Sequence, residues 1–267
     1  MSKADLKMVP VVILAGGQGT RLREQTEFIP KPMVPIGSRP ILWHIMKIYS
    51  HYGFNRFIIC LGYKGDSIKD YFLNYRFRNS DLTINLGKHN DVVINNVNEA
   101  DDWQVTLADT GLDAMTGARI KQIKKYVDTD YFLLTYGDGV ANVNIDLLLD
   151  FHLSHGKIGT VTGVKPPARF GELRIQDNHI IGFHEKPQVE GDMINGGFFV
   201  FNRDIFDYLS DSNECSLEKE PLERLAKDGQ FMVYHHPGFW QCMDTQRDME
   251  YLNKHWANED APWKVWS

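Results

Sequence analysis

The stretch VVILAGGQGTRL, residues 11–22, decides how the first half of the chain folds. Its apolar residues Val11–Leu14 predict a buried strand. The glycines Gly16, Gly17 and Gly19 predict a tight turn in which backbone N–H groups converge on one point. When a helix follows such a turn, its N-terminus adds partial positive charge. The stretch therefore predicts an anion-binding site at the end of a strand.

Two familiar phosphate-binding motifs do not fit this turn. The dinucleotide fingerprint needs a third glycine three residues after Gly19, and that position is Leu22. The P-loop needs Gly-Lys-Ser/Thr, which the stretch lacks. What remains is a glycine turn with two cations, Arg21 and the Lys31 of PKPM, which could bracket a polyphosphate. The alternative is a simple tight turn whose arginine and lysine point into solvent.

The composition is that of a globular protein with a sizeable core. Of 267 residues, 43% are hydrophobic and 24% are charged. The net charge of −6, without a long basic run, argues against nucleic acid or a membrane surface as partner. Three widely separated cysteines without metal-ligand spacing favour the reducing cytoplasm. The apolar stretch near the start is too short for a secretory signal, and no run approaches the ~20 apolar residues of a membrane span.

Strands and helices alternate through the first part of the chain. Apolar runs predict buried strands at Val11–Leu14, Arg56–Leu61, Tyr131–Thr135 and Thr160–Val164. Apolar residues at helical spacing predict helices within residues 40–53 and 144–156, each ended by a glycine. This alternation predicts an α/β fold with a Rossmann-like, mostly parallel mixed sheet flanked by helices.

The second part is richer in strands. Residues 172–187 predict a hairpin turning at Asp177 and Asn178, and residues 196–206 and 229–240 each predict a buried strand. No linker-like stretch divides the chain, so we expect one domain over residues 1–267. The tryptophans of the last 20 residues are expected to pack on the core as a terminal helix and tail, with an oligomer interface as the alternative: Trp256, Trp263 and Trp266.

The pattern L-A-G-G-x-G-T-R-L followed by P-K-P-M resembles the sugar nucleotidyltransferases, which join a sugar 1-phosphate to a nucleoside triphosphate. Segments further along are similar to the bacterial glucose-1-phosphate cytidylyltransferases: ILWHIMK, FIICLGYKGDSIKDYF, DTGLDAMTGARI, TYGDGV, FHEKP, MINGGFFV and HPGFWQCMDT. The resemblance covers the chain from about residue 9. It implies a nucleotidyltransferase fold with a nucleotide-binding part at about 9–165 and a sugar-binding and C-terminal part at about 166–267.

The resemblance also implies a reaction. CTP and α-D-glucose 1-phosphate would give CDP-glucose and pyrophosphate, by in-line attack of the sugar phosphate on the α-phosphorus in the presence of Mg²⁺. No general base is needed, since the attacking oxygen is already ionised, and positioning and charge neutralisation dominate. A cytoplasmic homo-oligomer that supplies lipopolysaccharide O-antigen synthesis is the family precedent.

Four residues are expected to carry the catalysis. The resemblance assigns charge neutralisation to Arg21 and Lys31, and the magnesium ion to Asp138 and Asp244. Asp138 follows an apolar strand, where open α/β sheets place their ligands, and Mg²⁺ prefers such carboxylates together with phosphate oxygens. The alternatives are an ordinary turn aspartate between glycines for Asp138, and a helix N-cap for Asp244.

The resemblance extends to substrate contacts. The expected nucleotide-binding residues are Leu14, Ala15, Gly16, Gly17, Gln18, Gly19, Thr20, Arg21, Lys31, Thr116, Arg119, Gly137 and Asp138. Thr116 and Arg119 are expected at the base, although Arg119 could also be a surface residue at the start of a helix. The expected sugar-phosphate residues are Gly171, Glu185, Lys186, Asn195 and Gly197, with an exposed loop pair as the alternative for Glu185 and Lys186.

Two positions depart from the family pattern. Ile29 replaces a second lysine before PKPM, and Cys242 replaces a proline before MDT. Competing hypotheses are the same chemistry with UTP, dTTP or another sugar 1-phosphate, and a catalytically silent nucleotide-binding regulator. A silent relative should have lost a metal carboxylate or a loop cation, and all four residues are present. No hexapeptide repeat is present, so an added acyltransferase is not expected.

Overall fold

Seven strands form the central sheet of the computed structural model, which describes residues 8–19, 22, 26–87, 91–97, 101–165, 172–176, 179–184 and 193–267. In spatial order they are β14 (Phe231–His236), β10 (Gly159–Val164), β13 (Ile194–Asn202), β8 (Tyr131–Tyr136), β1 (Pro10–Leu14), β4 (Arg56–Leu61) and β7 (Gln104–Asp109). Strand β13 is antiparallel to both of its neighbours, and all other pairs are parallel. The expected mostly parallel mixed sheet is confirmed.

Helices cover both faces of this sheet. They are α1 (Ile41–His51), α2 (Gly65–Leu73), α3 (Tyr75–Arg78), α4 (Thr116–Gln122), α5 (Ile145–His155), α6 (Glu220–Lys227) and α7 (Gln246–Ala257). Successive residues of β1 enter opposite layers: Val11 and Ile13 pack in the core with α1, α2, α5 and α7, while Val12 and Leu14 pack with α4 and α6. The apolar run of β1 follows from this burial on both sides, which is typical of parallel sheets.

Two helices end where the sequence predicts. Asn144 precedes α5 and accepts a hydrogen bond of 3.0 Å from the backbone N–H of Leu147, as an N-cap does. Gly156 ends α5 with φ 63°, and Gly53 follows α1 with φ 91°. Both glycines adopt the left-handed conformation that commonly closes helices.

Within the described part of the chain, shorter strands form four two-stranded sheets. They pair β2 (Pro35–Ile36) with β3 (Arg39–Pro40), β5 (Ser80–Ile84) with β6 (Val92–Val97), β9 (Gly139–Ala141) with β15 (Trp240–Cys242), and β11 (Glu172–Gln176) with β12 (His179–His184). The β11–β12 pair confirms the predicted hairpin, whose turn residues Asp177 and Asn178 lie outside the described residues. Short 3₁₀ turns span Lys31–Met33, Ile123–Tyr126 and Arg203–Asp207. No helix in the described ranges is long and apolar enough to cross a membrane.

The last tryptophans pack on the core, as predicted. Trp263 is fully buried, and its indole N–H donates to Nδ1 of His44 over 3.4 Å. Nε2 of His44, which therefore carries the proton, donates to the carbonyl of Ile36 over 3.0 Å. Trp256 and Trp266 are partly buried against the same cluster. The C-terminal segment thus forms part of the main hydrophobic core.

The order of the strands places a crevice beside β1. From β1 the chain adds β4 and then β7 on one side, and it returns to pair β8 with the opposite side of β1. In open α/β sheets, ligands bind outside the carboxyl ends of strands at such a reversal. Leu14 and Tyr136, which end these two strands, lie side by side at this edge.

Candidate active site

A pocket of about 340 Å³ opens at the carboxyl ends of β1 and β8. It is lined by Leu14, Ala15, Gly16, Gly17, Gly19, Lys31, Pro32, Ala114, Met115, Thr116, Arg119, Tyr136, Gly137 and Asp138. Ten of the predicted nucleotide-binding residues are among them, whereas Gln18 is exposed and not part of this lining. Thr20 and Arg21 lie outside the described residues. The structure therefore gathers these predicted residues at the crevice that the strand order defines.

Backbone hydrogen bonds hold the glycine turn against neighbouring strands. The amide of Ala15 donates to the carbonyl of Cys60 over 3.1 Å, and the carbonyl of Gly16 accepts from Tyr63 over 3.0 Å. A side chain at Gly17 would meet no atom within 4 Å, so this position faces open space. Gly19 has φ 61°, which favours glycine because a side chain there is strained.

Lys31, which lines the pocket, joins two carboxylates. Its Nζ donates to Oδ2 of Asp138 over 2.6 Å and to Oδ1 of Asp244 over 2.5 Å. Burial by itself lowers the pKa of Lys31, but the two carboxylates outweigh it and raise the pKa above 10.5. The ammonium therefore stays charged, and its bonding excludes the alternative of a lysine that points freely into solvent.

A local sheet brings the two carboxylates together. Asp138 lies in the turn between β8 and β9, while Asp244 follows β15, and β9 pairs with β15. The bond from Met243 N–H to the carbonyl of Asp138 extends this pairing by one step, at 2.8 Å. The capping box of α7 consists of Thr245 and Asp248, so the N-cap alternative for Asp244 is wrong.

Asp138 and Asp244 are the residues that could hold a divalent metal ion. Among the described residues, no group of three or more His, Cys, Asp or Glu side chains could do so. A pair of carboxylates nevertheless fits Mg²⁺, which usually takes one or two of them and completes its shell with water and substrate phosphates. The position of the Lys31 ammonium shows that the two carboxylates can share one cation.

Neither of the two departures from the family pattern, Ile29 and Cys242, adds a charge to this site. Ile29 is partly buried against the main core, where it contributes packing in place of a cation. The thiol of Cys242 lies 3.8 Å from Oδ2 of Asp244. Burial, together with Asp244 and Asp138, raises the pKa of Cys242 to about 12, so the thiol stays neutral.

Arg119 lies beneath the glycine turn, within α4. Arg119 is 4% exposed, so the alternative of a surface residue is wrong. One terminal nitrogen donates to the carbonyl of Gly16 over 3.1 Å and to that of Leu112 over 3.2 Å. The other donates to Leu61 and Gly111 carbonyls and to the Thr110 hydroxyl, at 2.8–2.9 Å. Burial lowers the pKa of Arg119 from its ordinary value. Arg119 thus supports the turn, and its contact with a base remains a prediction.

A polar network that no motif predicted links Thr116 to Asn195, one of the predicted sugar-phosphate residues. Oε2 of Glu218 accepts from the Thr116 hydroxyl over 2.6 Å, and Oε1 accepts from the Tyr136 hydroxyl over 2.7 Å. Burial and Glu218 together raise the pKa of Tyr136, which keeps its hydroxyl protonated. The Tyr136 oxygen in turn accepts from Asn195 Nδ2 over 3.3 Å. No local motif signals Glu218, because Thr116 and Tyr136, which it joins, are distant from it in sequence.

The predicted sugar residues on β13 reach the same edge of the sheet. Because β13 is antiparallel, its first residues lie beside the ends of the parallel strands. Asn195 Oδ1 accepts from the N–H of Gly197 over 2.8 Å, and Gly197 has φ 78°. The indole of Trp240 donates to the carbonyl of Gly196 over 2.7 Å. The other sugar-phosphate candidates lie outside the described residues: Gly171, Glu185 and Lys186.

Comparison with known proteins agrees with this fold. The family model for the nucleotidyl transferases matches residues 10–257, and the chain belongs to that family. Its members generally use a divalent metal ion.

Within this family, the chain is 52% identical over 256 residues to a glucose-1-phosphate cytidylyltransferase of Salmonella typhi, covering 96% of this chain and 98% of that one. It is 46% identical over 255 residues to a probable glucose-1-phosphate cytidylyltransferase of Bacillus subtilis strain 168, covering 96% and 99% of the two chains. The crystal structure of HddC from Yersinia pseudotuberculosis shares the fold, with a TM-score of 0.66 and 24% identity, covering 93% of this chain and 99% of that one.

Proposed function

We propose that the protein is a glucose-1-phosphate cytidylyltransferase, which joins CTP and α-D-glucose 1-phosphate to give CDP-glucose and pyrophosphate. The observation that carries this proposal is the position of Lys31, which lines the pocket and whose ammonium bridges Asp138 and Asp244. The relatives of this name cover nearly the whole chain. A catalytically silent regulator would have no use for this cation and both carboxylates.

The chemistry requires two anions to approach each other. An oxygen of the sugar phosphate attacks the α-phosphorus, the bond to the bridging oxygen breaks, and pyrophosphate leaves. Lys31 and Arg21 would neutralise charge on the triphosphate, and the N–H groups of the glycine turn would hold its oxygens. A Mg²⁺ ion held by Asp138 and Asp244 would supply further neutralisation when bound.

The two substrates would lie at opposite ends of the crevice. The nucleotide would occupy the pocket between the glycine turn and Thr116, with its base near Thr116 and Arg119. The sugar would lie beside Asn195 and Gly197 at the start of β13. The roles of Gly171, Glu185 and Lys186 at the sugar phosphate, and of Thr20 and Arg21 at the triphosphate, depend on the sequence resemblance alone.

We further propose that the protein is a homo-oligomer located in the cytoplasm. The β5–β6 pair and the residues just after β5 expose large apolar side chains that are suited to burial against another copy: Ile84, Leu86, Val92 and Val93. Light scattering on the purified protein tests the assembly, and a monomeric mass would contradict it. Such a result would leave the proposed reaction untouched.

A substrate screen tests the reaction. Pyrophosphate release is measured with CTP, UTP, dTTP, ATP and GTP, each against glucose, galactose and mannose 1-phosphates, with Mg²⁺ or with excess chelator. The expected outcome is that CTP with glucose 1-phosphate has the highest kcat/KM and that chelation abolishes it. A higher kcat/KM with UTP, dTTP or another sugar phosphate would establish the corresponding alternative, and no release with any pair would favour a silent regulator.

A further inference from the structure

Glu218 fixes the direction of the hydrogen bond that the Thr116 hydroxyl makes. A hydroxyl has one hydrogen to donate and two lone pairs, whereas a carboxylate can only accept. The Thr116 hydroxyl donates to Oε2 of Glu218 over 2.6 Å, so its hydrogen is committed. One lone pair accepts from the N–H of Leu217 over 2.9 Å. One lone pair remains, and Thr116 lines the pocket.

The same carboxylate is held firmly in place. Its Oε2 also accepts from the hydroxyl of Ser216 over 2.9 Å, and its Oε1 accepts from the Tyr136 hydroxyl over 2.7 Å. The Tyr136 ring is itself confined by Gly197, where a Cβ would lie 2.7 Å from the ring. Because three donors converge on Glu218, its oxygens cannot easily turn away from Thr116.

The geometry points to Glu218 as a positioning residue that makes Thr116 an acceptor-only group, and so selects a nucleotide base that bears an amino group. This inference rests on the proposed function and on the expected place of the base beside Thr116. The 4-amino group of cytosine donates hydrogen bonds, while the 4-oxo group of uracil accepts them. The free lone pair of Thr116 therefore pairs with CTP and opposes UTP. Glu218 acts on selectivity through Thr116 and is not required to touch the base.

Substitution of the carboxylate by its neutral isostere tests the inference. In Glu218→Gln the amide NH₂ can donate to Thr116, which frees the hydroxyl hydrogen to point at a 4-oxo group. We expect the ratio of kcat/KM for CTP to that for UTP to fall about tenfold, the size of one hydrogen bond. The matched control is Glu220→Gln, the same change two residues away at an exposed ion pair with Arg224, and it should leave the ratio unchanged.

Two substitutions at the hydroxyl provide the second test. Thr116→Ser keeps the hydroxyl and should keep the preference for CTP, whereas Thr116→Val removes it and should lose the preference about tenfold. The probe is the pyrimidin-2-one ribonucleoside triphosphate, which is CTP without its 4-amino group. The wild-type protein should use it about tenfold less well than CTP, and Thr116→Val should treat the two nucleotides alike.

The possible outcomes separate the inference from the proposed function. If the wild-type protein prefers CTP but Glu218→Gln and Thr116→Val keep that preference while folded, the inference is overturned and the proposed function stands. If the wild-type protein favours UTP over CTP, both are overturned. A loss of preference in Thr116→Val that Glu218→Gln does not share would also overturn the role of Glu218.

Discussion

The backbone N–H of Met243 donates a hydrogen bond of 2.8 Å to the carbonyl oxygen of Asp138. Through this bond, two segments that are far apart in the sequence present their carboxylates to one lysine. The charged centre of the site is therefore built by backbone pairing of β9 with β15, and each of its three side chains can be tested separately.

Removal of the lysine should impair the reaction far more than the fold. We expect Lys31→Ala to lower kcat/KM for pyrophosphate release by roughly 10²–10³, because a preorganised contact to developing charge is lost. Lys47→Ala is the control, since Lys47 also pairs with a carboxylate, Asp101 at 3.1 Å, but lies outside the pocket. A folded Lys31→Ala protein with more than a third of wild-type turnover would contradict a catalytic role for this residue.

Removal of one carboxylate should weaken metal dependence. In Asp244→Asn and in Asp138→Asn, we expect the Mg²⁺ concentration for half-maximal activity to rise about tenfold or more, since each loses one charged ligand worth at least about 1.4 kcal/mol. The double variant should be little worse than either single one, because the residues act as a unit. Asp228→Asn serves as the control. In the wild-type protein, the Asp228 carboxylate accepts a hydrogen bond of 3.0 Å from the Tyr208 hydroxyl. An unchanged Mg²⁺ dependence in all variants would argue against the proposed metal site.

Adjacent glycines of the turn should respond differently to alanine. A Cβ at Gly16 would overlap the guanidinium of Arg119, whereas a Cβ at Gly17 would meet nothing within 4 Å. We therefore expect Gly16→Ala to lower the free energy of unfolding by about 1–3 kcal/mol, the usual cost of overpacking, and Gly17→Ala to unfold like the wild-type protein. Urea titrations measure both. Equal stability of the two variants would show that Arg119 is not fixed beneath the turn.

The buried histidine should make the fold sensitive to acid. Burial lowers the pKa of His44 to about 4 from 6.5, so the unfolded chain takes up this proton more readily than the folded one. Neutral His44 therefore contributes up to about 3 kcal/mol to the free energy of unfolding. This contribution is present in full above pH 6.5 and is lost as the pH falls towards 4. In His44→Gln the free energy of unfolding should fall less steeply over this window.

His51→Gln on the same helix is the matched control for this pH dependence, since His51 is exposed. It should follow the wild-type pH profile in urea titrations at pH 7, 5.5 and 4.5. If His44→Gln follows that profile as well, the acid sensitivity arises elsewhere.

The strands and caps were predictable from the sequence because their signals are local. The strand over Arg56–Leu61 has the predicted bounds, and Asn144 and Gly156 bracket α5 with the residues that favour helix ends. Gly19 was also predictable as a turn position, since its φ of 61° is a backbone conformation that favours glycine. These features depend on a few neighbouring residues.

The contacts that build the site depend on tertiary structure. The pairing of Asp138 with Asp244 requires β15 to return to β9, and no local pattern encodes that register. Arg119 was expected at the base, yet its terminal nitrogens contact backbone carbonyls beneath the turn. Glu218 lies in an ordinary charged segment, and only the fold brings it to Thr116 and Tyr136. Sequence motifs do not predict long-range hydrogen bonds of this kind.

The contact between His44 and Trp263 also limits how early the core can form during translation. The two residues are 219 positions apart, so a ribosome completes α1, which carries His44, long before it makes the indole that covers it. Likewise, β1 cannot pair on both sides until β4 and β8 have been synthesised. The core around His44 therefore cannot close until Trp263 has been synthesised, and the apolar surface that the indole covers stays exposed on the nascent chain until then.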